Sequence, residues 1–310
     1  MVKKVSMRAK EDFELGLTPD ERAKFRDCCE YWFGVRKWPP LITLALFLGC
    51  VVQHYVAGEG SVPGDTAAAM VYRPMGGENT WYRGLSAVFS HVHDEHLWMN
   101  MIMAIVVGGF FELTEGPLLT FGVYWGAGTL GFALHGVARR AVLVRGASGA
   151  VYGVTFAQIS LLGLNWREMP LRWIRLILIT ILLGVDISIF WFWRTPGISF
   201  SAHLGGALAG VCIALVGGRN VRLRKWEISM TWAGVLGYVA LIVVGFVGEQ
   251  IAASALACAL LPPLVAYALL LTYRASKLPC CIKDLSQEVE DEKEADTSPE
   301  DPKKKPMVRV

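Results

Sequence analysis

The segment Phe200-Ser-Ala-His-Leu-Gly-Gly-Ala-Leu-Ala-Gly-Val-Cys-Ile-Ala-Leu-Val-Gly217 decides the fold. It contains no Asp, Glu, Lys or Arg, and its length approaches the ~20 apolar residues with which a helix crosses a hydrocarbon core. Small residues recur along it. Gly206 and Gly210 lie four apart on one helical face, about a turn beyond His203. Such a face lets a neighbouring membrane helix approach to backbone contact, where packing rather than water expulsion drives association. A histidine in these surroundings can be a satisfied polar crossing, a metal ligand or a base. Taken alone, the residue leaves all three readings open.

Working outward with the same ruler gives apolar spans near 40–58, 95–113, 118–138, 148–164, 171–192 and 200–217. Two more follow near 229–248 and 251–273, separated by Glu249 and Gln250, and Pro262 and Pro263 are expected to kink the last. The chain therefore reads as an all-α, polytopic membrane helix bundle of eight spans. Of its 310 residues 54% are hydrophobic and 18% charged, and mean hydropathy is +0.41, which excludes an ordinary soluble domain. A net charge of +3 gives no indication of nucleic acid as a partner.

The charges crowd into the first 38 residues, a stretch near 219–227 and the last 35. Lys3, Lys4, Arg8, Lys10, Arg22, Lys24, Arg26, Arg36 and Lys37 predict a cytosolic N-terminus. The first apolar run begins only at Pro40, so the first span is expected to direct insertion without a cleaved signal peptide. The resulting division is a cytosolic segment 1–39 with a short helix after Thr18, a six-helix core 40–217, C-terminal spans 218–274 and a disordered cytosolic tail 275–310. Seven cysteines show neither a disulfide framework nor C-x-x-C spacing; Cys28-Cys29 and Cys280-Cys281 flank spans, where palmitoylation is an option.

Three clusters carry chemistry. Arg145-Gly-Ala-Ser148-Gly-Ala-Val-Tyr-Gly153 opens the fourth span, and Gly146, Gly149 and Gly153 permit close approach around Ser148. A serine in the first turn of a helix has free backbone N–H groups beside it that can receive an oxyanion, although a small-residue packing face reads the same way. His203 is a suitable proton acceptor for a serine hydroxyl. The third cluster is His91-Val-His-Asp-Glu-His96-Leu-Trp-Met-Asn100, in which His96 and Asn100 stack on one helix face. It is rich in ligand types, yet it lacks the H-E-x-x-H arrangement, so no metal site is expected.

Together these clusters resemble the rhomboid family of intramembrane serine proteases over about 40–217. Gly146-Ala-Ser148-Gly matches the family's G-x-S-G, and Ala202-His203-Leu-Gly-Gly206 with Gly210 matches its A-H-x-x-G-x-x-x-G. His91, His96 and Asn100 keep the family spacing, as do Arg83 eight residues ahead of His91, Tyr152 four after the serine, and Glu112 in Gly108-Gly-Phe-Phe-Glu. The sequence departs at Tyr82, which stands between Trp81 and Arg83, and at Ile198, where the family has glycine and Gly197 comes one place early. Ala147 stands where the inactive branch has proline.

The resemblance implies a six-helix core with one or two added C-terminal segments and a Ser148–His203 dyad needing no carboxylate, metal or cofactor. Ser148 N–H, His96 and Asn100 would form the oxyanion hole, supported by Tyr152, His91, Gly146 and Gly149. Arg83, Glu112, Gly206 and Gly210 would serve structure. The implied substrates are single-pass transmembrane proteins cut near the outer or luminal face, in contact with membrane lipids, in a Golgi, endosomal or plasma membrane. A catalytically silent membrane chaperone or trafficking factor of the same fold is the alternative.

Overall fold

A computed structural model describes residues 39–57, 70–74, 82–166, 172–193, 199–219 and 225–277. The described chain is helical: α1 (Leu41–Ala57), the single turn α2 (Arg83–Ser86), α3 (Asp94–Glu115), α4 (Pro117–Ala138), α5 (Ser148–Leu164), α6 (Arg172–Trp193), α7 (Phe200–Gly217), α8 (Lys225–Val247), α9 (Ile251–Cys258) and α10 (Leu261–Lys277). Among the described residues five segments are long and apolar enough to cross a membrane: Asp94–Glu115, Pro117–Ala138, Phe200–Gly217, Trp226–Val247 and Ile251–Tyr273. Leu41–Val56 and Ser148–Leu164 are apolar but shorter. The protein is a multi-pass membrane protein.

The last apolar segment is broken rather than kinked. A turn at Ala259–Leu260 separates α9 from α10, so Pro262 and Pro263 fall in the first turn of a new helix. There a missing N–H deprives no carbonyl of its partner. The middle of α3 runs as a π-helix over Ala104–Gly109, and within it Val107 O accepts a hydrogen bond from Gln158 Nε2 of α5 at 3.0 Å.

Glycine contacts assemble the centre of the bundle. A side chain at Gly206 would overlap the Gly149 carbonyl and one at Gly210 the Gly153 carbonyl, so α5 and α7 cross in backbone contact. On its other flank α7 meets α4, where a Cβ at Gly131 would lie 2.8 Å from Ala202 O and one at Gly205 2.9 Å from Leu130 O. The outer surface is apolar: Trp173, Ile174, Ile177 and Ile181 of α6 and Leu48 and Val52 of α1 are all exposed, as lipid-facing side chains are.

Glu112, in the last turns of α3, ties that helix to α1. Its buried carboxylate accepts from Ile42 N at 2.9 Å, Thr43 N at 2.8 Å and Thr43 Oγ1 at 2.9 Å. This satisfies N–H groups that a helix start leaves without partners and sets a negative charge at the positive end of its dipole. Trp81, Arg194 to Ile198, Cys28-Cys29, Cys280-Cys281, the helix expected after Thr18, the tail from Lys283 and half of the connection 59–94 lie outside the described residues.

Candidate active site

The loop before α5 is held by backbone hydrogen bonds at Val144, Gly146 and Ala147. Tyr72 and Val144 form an antiparallel bridge, with Tyr72 N to Val144 O at 3.0 Å and Val144 N to Tyr72 O at 3.1 Å. Gly146 N–H donates to Ala87 O at 2.9 Å. Gly146 has φ +123°, a region glycine enters without steric penalty, and a Cβ there would lie 2.7 Å from His96 Cε1. The chain then enters α5, and Ser148 is its first residue, half-buried.

His91 fixes the residue before the serine. Ala147 N–H donates to His91 Nε2 at 3.3 Å, so His91 Nδ1 carries the proton and donates to Phe89 O at 3.3 Å. Complete burial, reinforced by the neighbouring His96 imidazole, pushes the pKa of His91 down to about 3 and keeps it neutral. With the Gly146 and Ala147 amides engaged, the N–H groups that follow, starting with Ser148, are those a helix start offers to a ligand.

His203 stands in the first turn of α7. Ser199 caps that helix, its Oγ accepting from Ala202 N at 3.1 Å. His203 is 6% exposed, and its Nε2 is buried without a hydrogen-bond partner among the described residues. The Tyr152 ring stacks on the imidazole at 4.2 Å between centroids and 19° between planes. Gly149, next to Ser148, packs against the carbonyl of Ala202, next to His203; a Cβ there would lie 3.3 Å away. The first turns of α5 and α7 are thus side by side.

The third wall is α3. The half-buried His96 ring packs on Gly146 and meets His91 edge-on at 5.3 Å, within electrostatic reach of His203 and Asp186. Asn100, one turn further, is buried and donates one amide hydrogen to His96 O at 2.9 Å. Arg83 lies apart from this group: it is buried in α2 and donates to Val71 O at 3.3 Å, bracing the segment that bridges to Val144.

Three residues gain partners that the sequence did not name. Asp186 of α6 accepts from Tyr152 OH at 2.6 Å. His135 of α4 donates from Nε2 to Val142 O at 2.9 Å, and its Nδ1 accepts from Ser199 Oγ, so one imidazole joins the serine loop to the cap of α7. Gln250, at the start of α9, accepts from Tyr72 OH at 2.7 Å. The signal for each was a polar residue inside or beside an apolar span, where the cost of burial demands a partner. Of the ligand-rich third cluster, Asp94 pairs with His54 at 2.8 Å, and both His91 nitrogens are engaged. Among the described residues no three His, Cys, Asp or Glu side chains form a group able to hold a metal.

The class defined by these features is a multi-pass helical membrane protein with a serine and a histidine brought together at a glycine-lined helix crossing. Comparison with known proteins agrees: the Rhomboid domain model matches residues 78–220. The chain is 26% identical over 226 residues to Rhomboid-related protein 3 of Homo sapiens, covering 69% of this chain and 55% of that protein. It is 30% identical over 184 residues to Rhomboid-related protein 1 of Caenorhabditis elegans, covering 58% and 49%. To Rhomboid-type serine protease 2 of Emericella nidulans it is 29% identical over 151 residues, covering 48% and 29%. The chain spans about half the length of the first two of these relatives. Residues 78–220 thus match a rhomboid domain.

Proposed function

We propose that this protein is an intramembrane serine endopeptidase with Ser148 as nucleophile and His203 as base. The observation that most supports the reading is the backbone-contact crossing of α5 and α7. It sets the two first turns together and leaves the buried His203 Nε2 without another partner among the described residues. His203 takes the Ser148 hydroxyl proton as the oxygen attacks the scissile carbonyl, then gives it to the departing amine. Water resolves the acyl-enzyme by the same steps in reverse. The oxyanion meets the Ser148 N–H, the second amide hydrogen of Asn100 and the His96 ring, donors fixed in advance in a water-poor cavity.

The substrates in this reading are single-pass membrane proteins whose spans contain small, helix-weakening residues near the outer or luminal face, because the scissile bond must leave its helix to reach the serine. The enzyme would act in a secretory-pathway or plasma membrane with its N-terminus in the cytosol. The test is labelling with a fluorophosphonate or a 4-chloroisocoumarin, together with co-expression of a panel of type I membrane proteins. Wild type should be labelled and should release ectodomain, and Ser148→Ala and His203→Ala should abolish release. Equal labelling of wild type and Ser148→Ala would leave the silent chaperone or trafficking factor as the better reading.

A further inference from the structure

Asp186 lies on the bundle-facing stripe of α6. Arg172, Arg175, Leu176, Ile179, Leu182, Leu183 and Asp186 are its buried or half-buried positions, recurring at helical spacing, while Ile181, Val185 and Ile187 are exposed. A carboxylate has no reason to occupy such a stripe for packing, and among lipid-spanning helices it is kept where a specific partner exists. Its partner here is Tyr152 OH, at 2.6 Å. That distance is typical of a charge-assisted O–H···O bond.

Tyr152 also forms the face on which His203 rests. The centroids lie 4.2 Å apart and the planes within 19°, so a swing of the tyrosine about χ1 would uncover the imidazole face. The hydroxyl, at the far end of that swing, is held by Asp186. Phe200 meets His203 edge-on at 6.5 Å between centroids, an apolar contact without a directional hydrogen bond. The only polar anchor among these contacts is at the far end of the tyrosine.

We propose that Asp186 is a positioning residue for the reaction: by holding the Tyr152 hydroxyl, it keeps the phenol ring stacked against His203 so that Nε2 stays aimed at Ser148. This rests on the protease reading. It adds a carboxylate to the site without making it a third member of the dyad, since Asp186 acts through Tyr152 and exchanges no proton with His203. It also gives α6 a role beyond lining the bundle, because displacement of that helix would release the ring.

The experiment is a double-mutant cycle on the full chain purified in detergent, reading the second-order rate of Ser148 labelling by a fluorophosphonate. Asp186→Leu and Tyr152→Phe should each slow labelling about tenfold, as loss of ~1.4 kcal/mol of alignment gives. The double variant should be no slower than either single one. Asp186→Asn, which keeps an acceptor oxygen, should recover most of the rate. With a peptide substrate the loss should fall on kcat per titrated active site and leave KM unchanged, whereas a general loss of fold would lower the number of titratable sites. Labelling of Asp186→Leu at the wild-type rate, or additive losses in the double variant, would overturn the proposal while leaving the protease intact. No labelling of wild type would overturn both.

Discussion

Replacing Gly206 by alanine tests whether the crossing of α5 and α7 sets the catalytic geometry. A Cβ at Gly206 would overlap the Gly149 carbonyl, with 2.7 Å to its carbon and 3.0 Å to Gly149 Cα. Carbon atoms rest at about 3.5–4.0 Å, so the helices must separate by on the order of 1 Å. Backbone against backbone has no flexible end that can give way. Overpacking of this kind costs about 1–3 kcal/mol, against which alanine returns up to ~1 kcal/mol of helix propensity. Stability should therefore fall modestly. The reaction should suffer more, because Ser148 and His203 ride on the two helices being parted, and a misplacement of ~1 Å can cost about a hundredfold in rate. The control is Gly163→Ala on the same α5, where a Cβ would meet nothing within 4 Å. Purified variants are assayed in detergent for thermal midpoint and for the rate of fluorophosphonate labelling. Gly163→Ala should keep the wild-type rate, and Gly206→Ala should lose most of it while remaining folded. Wild-type labelling by Gly206→Ala would refute the reasoning.

Glu112→Ala removes the acceptor of three hydrogen bonds at the start of α1, two of them buried, and should destabilise the protein by on the order of 3 kcal/mol, with Glu112→Gln losing less in the same denaturant titration. Ser199→Ala removes the cap of α7 and the shorter of two hydroxyl contacts to His135 Nδ1; it should lose ~1 kcal/mol and slow labelling, whereas Ser201→Ala leaves the cap intact and removes only the 3.4 Å contact to His135, and should change less. The third prediction concerns pH. Because His91 is held neutral in the fold with a pKa of about 3, its contribution is present above the unfolded value of about 6.5 and is lost as pH falls toward 3. Between pH 6.5 and 5 that loss is ~2 kcal/mol, at about 1.4 kcal/mol per unit, and the stability gap between wild type and His91→Gln should narrow by that amount in detergent unfolding at the two pH values.

Much of the helical scaffold was legible because membrane crossing imposes a length and an apolarity that few other constraints imitate. The start of α5 at Ser148 and the limits of α7 coincide with the reading from hydropathy and glycine spacing. Gly149, Gly153, Gly206 and Gly210 were legible as close-approach positions because only glycine admits contact of backbone with backbone. The break at Ala259–Leu260 was not, since two prolines are compatible with a kink in a continuous helix and with the first turn of a new one. The choice depends on what packs there: Trp125 Nε1 donates to Leu256 O at 2.9 Å and Tyr238 OH to Ala257 O at 3.1 Å, taking up carbonyls at the end of α9. Partners across the fold were equally hidden. Asp186 announced that it needs a donor, but Tyr152 is 34 residues away. Gln250 is 178 residues from Tyr72, and no periodicity connects them.

That last pair bears on where the working unit ends. The rhomboid match stops at residue 220, which would make α8 to α10 an appendage. The contacts argue otherwise. Gln250 accepts from Tyr72, the residue bridged to Val144 in the loop that leads to Ser148, and a Cβ at Gly136 of α4 would overlap the Gln250 amide. On the neighbouring side α9 packs under α2, where a Cβ at Gly84 would lie 3.0 Å from Leu256 Cδ1; Gly84 follows Arg83, which braces the same 70–74 segment. The C-terminal hairpin therefore buttresses Tyr72, the partner of Val144 in that bridge, while His135 holds the serine loop itself at Val142 O. A buttress made of hydrogen bonds between segments so far apart in sequence forms only when α8 and α9 have docked on the core, so the final geometry of the Ser148 loop depends on residues beyond the family domain.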